Sequence, residues 1–270
     1  MQNKILNFLY NIRLFRRLIP SIIRKISFFK KKHLAQLNGF KLNLSLKNSV
    51  DRRIFLENSY ESDQVSFLEK STKDLDFDYF IDIGAYIGYY SLYFAKFKNI
   101  KKIISIEPNR ENFLSLQNNI SLNKYDITAY NLACSNKNES KKLWFSDPNK
   151  KSGSSILDEA DFEYNKYSAD IKKNKDYQIS KNDLIYEAVN AKKLDDIISI
   201  NDKNIIIKID VERHELSVLE GAKNIFFSNN NVFLQIEIYP EHKNKIFSFL
   251  IKNNYKLIHS IEWDYYFKNY

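Results

Sequence analysis

Four apolar runs in this 270-residue chain each end on a carboxylate: Asp82 in "FIDIGAYIGYY", Glu107 in "IISIEP", Asp210 in "IIIKIDVERHE" and Glu237 in "VFLQIEIYP". Behind the first stand Gly84 and Gly88, two of only five glycines. A glycine turn between a strand and a helix is where α/β sheets bind nucleotides. The dinucleotide pattern G-x-G-x-x-G fails here. Started at 82 it meets Asp82 and Ile87, and started at 84 it meets Tyr86 and Tyr89. No Gly-Lys-Ser/Thr follows, so a P-loop is excluded too. Asp82 would repel a pyrophosphate and favour a cationic ligand without phosphate. S-adenosylmethionine (SAM), with its sulfonium and ammonium groups, has that chemistry. Glu107, 23 residues beyond Gly84, stands where an acidic residue meets the ribose hydroxyls of an adenosine ligand.

The elements that must position these residues follow an alternating pattern. From residue 78 the strands "DYFIDIG", "KKIISIEP", "ITAYNLA", "NIIIKIDV" and "VFLQIEIYP" alternate with helical segments such as "YYSLYFAKF", "RENFLSLQNNISLN", "HELSVLEGAKNIF" and "HKNKIFSFLIKN". "YKLIHSIEWDYYF" adds one or two last strands. The pattern predicts an α/β fold with a doubly wound, mostly parallel sheet of about seven strands. Near-continuous apolar strands fit burial on both faces. Upstream, "FKLNLSL" alternates as a strand, and "SDQVSFLEKSTKDL" reads as a helix capped by Ser62 or Asp63. Residues 140–190 are rich in Lys, Asn, Asp and Ser and are expected to form a lid or substrate loop. Gly221 in "VLEGA" serves a turn or tight packing.

The net charge of +9 is unevenly spread. Residues 1–50 hold eleven Lys/Arg and no Asp or Glu, while the other 220 residues hold 31 basic and 33 acidic. The segment over residues 1–38 reads as a basic amphipathic helical extension, kinked at Pro20, ahead of a domain over 39–270. Three readings stay open for residues 1–32: contact with an anionic membrane surface, packing on the chain's own domain, or binding of nucleic acid. No run of about 18 uncharged apolar residues spans a membrane, and no signal-peptide cleavage site is present. A cytoplasmic location, peripheral at the inner face of the membrane, is the expectation. The single cysteine, Cys134, excludes an internal disulfide framework. No Cys/His cluster has zinc spacing.

Together "FIDIGAYIGYYSL", "SIEPNRENFLSLQNNISLN", "GSSI" and "IKIDVERHELSVLEGA" resemble the FkbM family of SAM-dependent methyltransferases, Rossmann-like class I enzymes acting mostly on hydroxyls of sugars and polyketides. The resemblance spans about residues 55–240. It implies that Asp82, Gly84, Ala85, Tyr86 and Gly88 line the methionine part of SAM. It likewise implies that Glu107 holds the ribose with Asn109 nearby, and that Ala133, Cys134 and Asn136 pass close to the adenine. Two positions depart from the family: Arg213 stands where it usually has Gly, and Asn136 where it usually has Asp.

Methyl transfer to a hydroxyl needs alignment of the oxygen and a group to remove its proton. Asp210, His214 and Glu237 are the catalytic candidates, with His214 as the base. Asp210 and Glu237, on neighbouring strand ends, would suit Mg²⁺ or another divalent cation. Glu212, Arg213, Ser154 and Ser155 are the substrate-side candidates. The structural alternative is that Asp210 and Glu212 cap the helix beginning near residue 213 and that His214 is a buried polar residue. The expected reaction is O-methylation of a sugar, either nucleotide-activated or part of a surface glycan. Nucleic-acid methylation is a rival, but the place of an Asn/Asp-Pro-Pro-aromatic turn reads "DVER". A non-catalytic SAM-binding protein anchored by its basic helix is another.

Overall fold

The computed structural model describes residues 10, 18–25, 32–145, 155–157 and 185–270. Among these, seven strands form the main sheet. They are β3 (Phe77–Ile83), β4 (Ile100–Ile106), β5 (Ile127–Tyr130), β10 (Asn204–Ile209), β11 (Asn231–Glu237), β12 (Lys256–Ile261) and β13 (Asp264–Lys268). Their order is β12-β13-β11-β10-β3-β4-β5. Only β13 runs antiparallel to its neighbours. The chain moves outward from β3 in one direction and returns to build the other half from β10. The switch point therefore lies between β3 and β10, where such sheets open a crevice at the carboxyl edge.

Helices cover both faces, so the strands alternate between two cores. Ile205, Ile207 and Ile209 of β10 join one apolar cluster, while Ile206 joins the other with Phe80 and Phe233. The second face is covered by α4 (Tyr89–Phe94), by α2 (Ser49–Glu57) and α3 (Ser62–Thr72), and by a hairpin of β1 (Lys32–Leu37) and β2 (Phe40–Ser45). The hairpin is anchored to α5 (Arg110–Asn123) by Asn119: its Oδ1 accepts from Asn43 N–H at 2.8 Å and its Nδ2 donates to the Ile87 carbonyl at 2.9 Å.

Several expectations are adjusted. The helical extension does not reach residue 38, because β1 begins at Lys32. Helix α1 (Leu18–Lys25) carries Pro20 in its first turn, where the missing N–H costs no hydrogen bond. Its Ile19 and Ile23 are buried in the domain core. Packing on the chain's own domain therefore describes this part, and most of residues 1–31 lie outside the described residues. No described helix is long and apolar enough to cross a membrane.

Neither Ser62 nor Asp63 caps α3; Glu61 holds that place with φ 43°. The expected helix over "HELSVLEGAKNIF" divides into α7 (Glu215–Glu220) and α8 (Lys223–Phe227). It divides at Gly221, where a Cβ would sit 1.9 Å from the Ser135 carbonyl oxygen. Much of the expected loop over 140–190 lies outside the described residues. Its described parts join the upstream β6 (Ala133–Cys134) in a small sheet of order β6, β9 (Ile185–Lys192), β7 (Glu139–Phe145) and β8 (Ser155–Ile156). The short helix α6 (Leu194–Ile197) leads back to β10, and α9 (Lys243–Lys252) precedes β12.

Gly84 fixes the crevice geometry. It has φ +84°, and a Cβ there would fall 1.7 Å from the Asp210 carbonyl oxygen. Gly84→Ala should therefore cost about 3 kcal/mol or more. Gly39→Ala, at φ +90° with no atom within 4 Å of an added Cβ, should cost about 1 kcal/mol. Urea unfolding of the two variants checks the difference; equal losses would remove the close packing as the cause.

Candidate active site

The sheet register builds the site. Ile236, Ile209, Ile83 and Ile106 align across four strands. One residue further on stand Glu237, Asp210, Gly84 and Glu107, and Asp264 of β13 pairs with Glu237. Four carboxylates thus stand along one edge, interrupted by the glycine that lets the chain turn. Two residues earlier, on the same face by strand alternation, Tyr266, Gln235, Lys208, Asp82 and Ser105 align in register. All five are buried.

This second rank contains the site's central charge. Lys208 is 3% exposed. Its Nζ donates to Asp210 Oδ2 at 2.9 Å and lies 4.6 Å from the Tyr90 ring centroid. Desolvation favours the neutral amine, but Asp210, Glu61, Asp82 and Asp264 outweigh it and hold the ammonium firmly protonated. Asp82 accepts from both the N–H and the hydroxyl of Ser91, at 3.1 and 2.5 Å. Burial nevertheless pushes its carboxyl up.

Glu237, Glu212, Asp264 and Glu107 share one tendency. Burial first, then Asp210 and Glu212, pushes Glu237 up to about 10. Burial and then Asp210 pushes Glu212 up to about 7, against a 2.8 Å hydrogen bond from the Tyr239 hydroxyl. Burial and then Glu61 pushes Asp264 up to about 7. Burial lifts Glu107 to about 8, although Tyr86 N–H (2.9 Å), Asn109 N–H (3.0 Å) and the Asn112 amide (3.3 Å) all donate to it.

A cavity opens over this edge. One wall holds Asp82, Gly84, Ala85, Tyr86 and Glu107. An apolar wall is made by Leu132, Ala133, Cys134, Leu143 and Leu157. The far end holds Glu61, Lys208, Asp210, Glu212 and Glu237. A strand-end carboxylate beside an apolar slot suits an adenosine, and the carboxylates beyond suit a cationic centre.

Some expected residues lie elsewhere. His214 does not line the cavity. It is buried, and its Nε2 is 3.0 Å from the Ser135 hydroxyl, which leaves it no route to a bound acceptor. Arg213 also turns away: its Nε donates to Glu241 at 2.7 Å and its guanidinium stacks 3.8 Å over Tyr239. Asn136 donates to Glu220 at 2.8 Å, outside the cavity lining. Asn109 is fully buried as the cap of α5 and donates to Glu187 at 3.0 Å. Ser154 and the side chain of Ser155 lie outside the described residues.

Both glycines make close approaches to protein atoms. Gly84 abuts Asp210, and a Cβ on Gly88 would meet Leu116 at 2.5 Å. Tyr86 turns the chain at φ 50°. Its hydroxyl donates to Asp51 at 2.6 Å and accepts from Asn48 at 3.0 Å. The metal expectation is not met. Among the described residues no three of His, Cys, Asp and Glu converge to hold an ion. The Lys208 ammonium already occupies an oxygen of Asp210.

Sequence reasoning missed Lys208, Glu61, Asp264 and the pair Leu143/Leu157. A lysine inside "IIIKIDV" was the available signal, since a charge within an all-apolar strand must be buried with a partner. Leu143 and Leu157 lie in the segment taken as a loop and carried no such signal.

A family model described as "Methyltransferase FkbM domain" matches residues 82–257. Among solved structures, an FkbM methyltransferase from Methylobacillus flagellatus KT is similar, at 21% identity and TM-score 0.45, over 81% of this chain and 52% of that one. The chain thus spans about half the length of that protein. M. jannaschii TYW2, solved in complex with AdoMet, is 13% identical with TM-score 0.39, over 88% of this chain and 84% of that one. A ribosomal protein L11 methylase from Lactobacillus delbrueckii subsp. bulgaricus is 12% identical with TM-score 0.42, over 78% of each chain. A comparison with curated proteins found no match.

Removing Lys208 should expose the dependence on its charge. Lys208→Met leaves the buried Asp82 and the half-buried Asp210 against no ammonium and should lose about 3–5 kcal/mol. Adding Asp210→Asn should recover part of that loss in the double variant. Denaturant unfolding of both variants and the parent checks this, and a fully additive pair would contradict the coupling.

Proposed function

The chain belongs to the FkbM methyltransferase family, and on that premise we propose that it transfers a methyl group from SAM to a hydroxyl of a sugar. The observation that carries this reading is the rank of strand-end carboxylates, Glu107 on the adenosine side and Asp210, Glu237 and Asp264 beyond it, around one buried ammonium. The residues fit the cofactor. Glu107 offers a carboxylate to a ribose diol, the apolar wall from Leu132 to Cys134 offers a slot for an aromatic base, and the acidic end favours positive charge. Bound SAM supplies a methyl group on a good leaving group.

The chain's own work is alignment and proton removal. Asp210 is held by Lys208 and has a free edge on the cavity, so it orients the acceptor by accepting a hydrogen bond from a hydroxyl. Glu212 takes the proton from the reacting oxygen. It lines the cavity, is fixed by Tyr239, and is lifted to about 7, near the pH at which a base is most effective. Its backbone at φ 52° departs from the usual region and aims the side chain at the acidic end. Burial and the neighbouring acids keep Glu237 protonated at neutral pH. A double-stranded nucleic acid would bring phosphates against these carboxylates, which disfavours that rival acceptor. Whether residues 1–32 also touch an anionic membrane remains a separate proposal, tested by sedimentation with anionic vesicles.

Activity should rise as pH increases through about 7, because Glu212 must be ionised to accept the proton. Glu212→Gln should lower kcat by about 10²–10⁴-fold and flatten that limb, with SAM affinity within about threefold. A pH–rate series on a panel of sugar acceptors, read by mass gain of one methyl group, decides this. A limb that survives in the variant assigns the base elsewhere.

The cofactor side has its own signature. Glu107 holds a proton up to about pH 8 in the free protein, and a ribose diol donates to the ionised form. SAM binding should therefore release a proton below about pH 8 and tighten between pH 6 and 8. Glu107→Gln should weaken binding at least about tenfold and abolish the pH dependence. Calorimetry in buffers of different ionisation enthalpy measures both effects.

A further inference from the structure

The small sheet turns one face inward. On β9, Val189 and Ala191 are buried and Glu187 is half-buried, while Tyr186, Ala188 and Asn190 are exposed. On β7, Leu143 pairs with Glu187, Lys141 with Val189 and Glu139 with Ala191. Paired residues share a face. β8 pairs with β7 at Trp144↔Ile156 and Phe145↔Ser155, so the same register carried on by one residue sets Leu157 abreast of Leu143. Leu143, Leu157, Val189, Ala191 and Ala133 of β6 form an apolar cluster separate from the two cores of the main sheet. Leu143, Leu157 and Ala133 also line the cavity over the carboxylate edge, whereas Val189 and Ala191 do not.

A second observation ties this face to the ribose end of the cavity. Glu187 Oε1 accepts from the Asn109 amide at 3.0 Å and from Arg110 N–H at 3.1 Å. Asn109 N–H in turn donates to Glu107 at 3.0 Å. A single residue, Asn109, thus joins the carboxylate paired with Leu143 to the carboxylate on the adenosine side. At its other border the small sheet is continuous with the cavity wall, because β6 pairs with β9 at Ala133↔Ala191 and Cys134↔Lys192.

We propose, building on the cofactor half of the reading above, that the small sheet is the base-recognition element of this enzyme and that Leu143 and Leu157 cover the adenine of SAM. An aromatic base offers flat apolar faces that gain by leaving water, and two branched side chains held abreast by strand register provide the surface for them. The clamp from Glu187 through Asn109 keeps that cover in step with the ribose contact. A base seated there joins the cluster of Ala133, Val189 and Ala191, so cofactor binding also stabilises the small sheet.

The test uses the full chain and two probes, S-adenosylhomocysteine and 5′-methylthioadenosine, which keeps the base and ribose but lacks the amino-acid tail. Calorimetry measures their affinities. Leu143→Ala and Leu157→Ala should each weaken both probes about tenfold. Leu157→Met conserves volume and should bind within about threefold of the parent. Leu157 follows a strand of only two residues and carries the test alone should Leu143→Ala not fold. Val189→Ala, in the same cluster but off the cavity, should also stay within about threefold of the parent. Saturating S-adenosylhomocysteine should slow amide exchange in β7 and β9 of the parent, and slow it less in the Leu143→Ala/Leu157→Ala double variant. Leucine variants that bind like the parent overturn the proposal and leave the cofactor reading standing. So does a loss in Val189→Ala equal to theirs, which would mark general loosening of the sheet, or a loss confined to S-adenosylhomocysteine, which would place the contact on the amino-acid half. A parent that binds neither probe rejects the cofactor reading and the proposal together.

Discussion

An ammonium group inside a β-sheet has to be answered, and the arrangement of this molecule follows from how Lys208 is answered. Removing such a charge from water costs several kcal/mol unless partners surround it. Here Asp210 takes it directly, and Asp82, Glu61 and Asp264 add to the field. Asp82 and Asp264 are themselves buried, and the ammonium opposes the loss of their charge. The lysine and the acids are therefore conditions for one another. Their positions come from strand register, which places Gln235, Lys208, Asp82 and Ser105 abreast and Glu237, Asp210, Gly84 and Glu107 abreast two residues further on.

The turn after β3 is the mechanical counterpart of that electrostatic arrangement. Gly84 must pass under the Asp210 carbonyl, and Gly88 must pass over Leu116. Between them Tyr86 adopts φ 50° while its N–H donates to Glu107 and its hydroxyl to Asp51. One residue thereby ties α2 to the carboxylate on the second strand. The glycines make room for protein atoms, and the ligand side of the turn is furnished by the backbone of Ala85 and Tyr86 and by the acids around them.

The strands, their order of use and the acids at their ends were legible in the sequence, because apolar runs that stop on a carboxylate are a local signal. The extent of α5 was legible too, but Asn109, expected beside the ribose, is instead its cap. What was not legible depends on contacts distant in sequence. His214 had the right chemistry and the right neighbours in the chain, but its ring is turned to Ser135, 79 residues away. Arg213 is turned to Glu241 and Tyr239. The break at Gly221 exists because the Ser135 carbonyl needs that space. Lys208 was visible as a charge within an apolar strand, but the isoleucines on both faces of that strand hid which core it enters. Glu61 reaches the site from a helix start that carries no motif.

Ser135 has a consequence for how the enzyme moves. Its hydroxyl is fastened to His214 and its carbonyl is lodged against Gly221, at the two ends of α7. Its N–H donates to the Lys192 carbonyl at 2.8 Å, on the edge of the small sheet. Three attachments on a single residue make a rivet between the wall beside Cys134 and the acidic turn that carries Glu212. The wall proposed to seat adenosine and the turn that carries Glu212 are therefore held together through one residue.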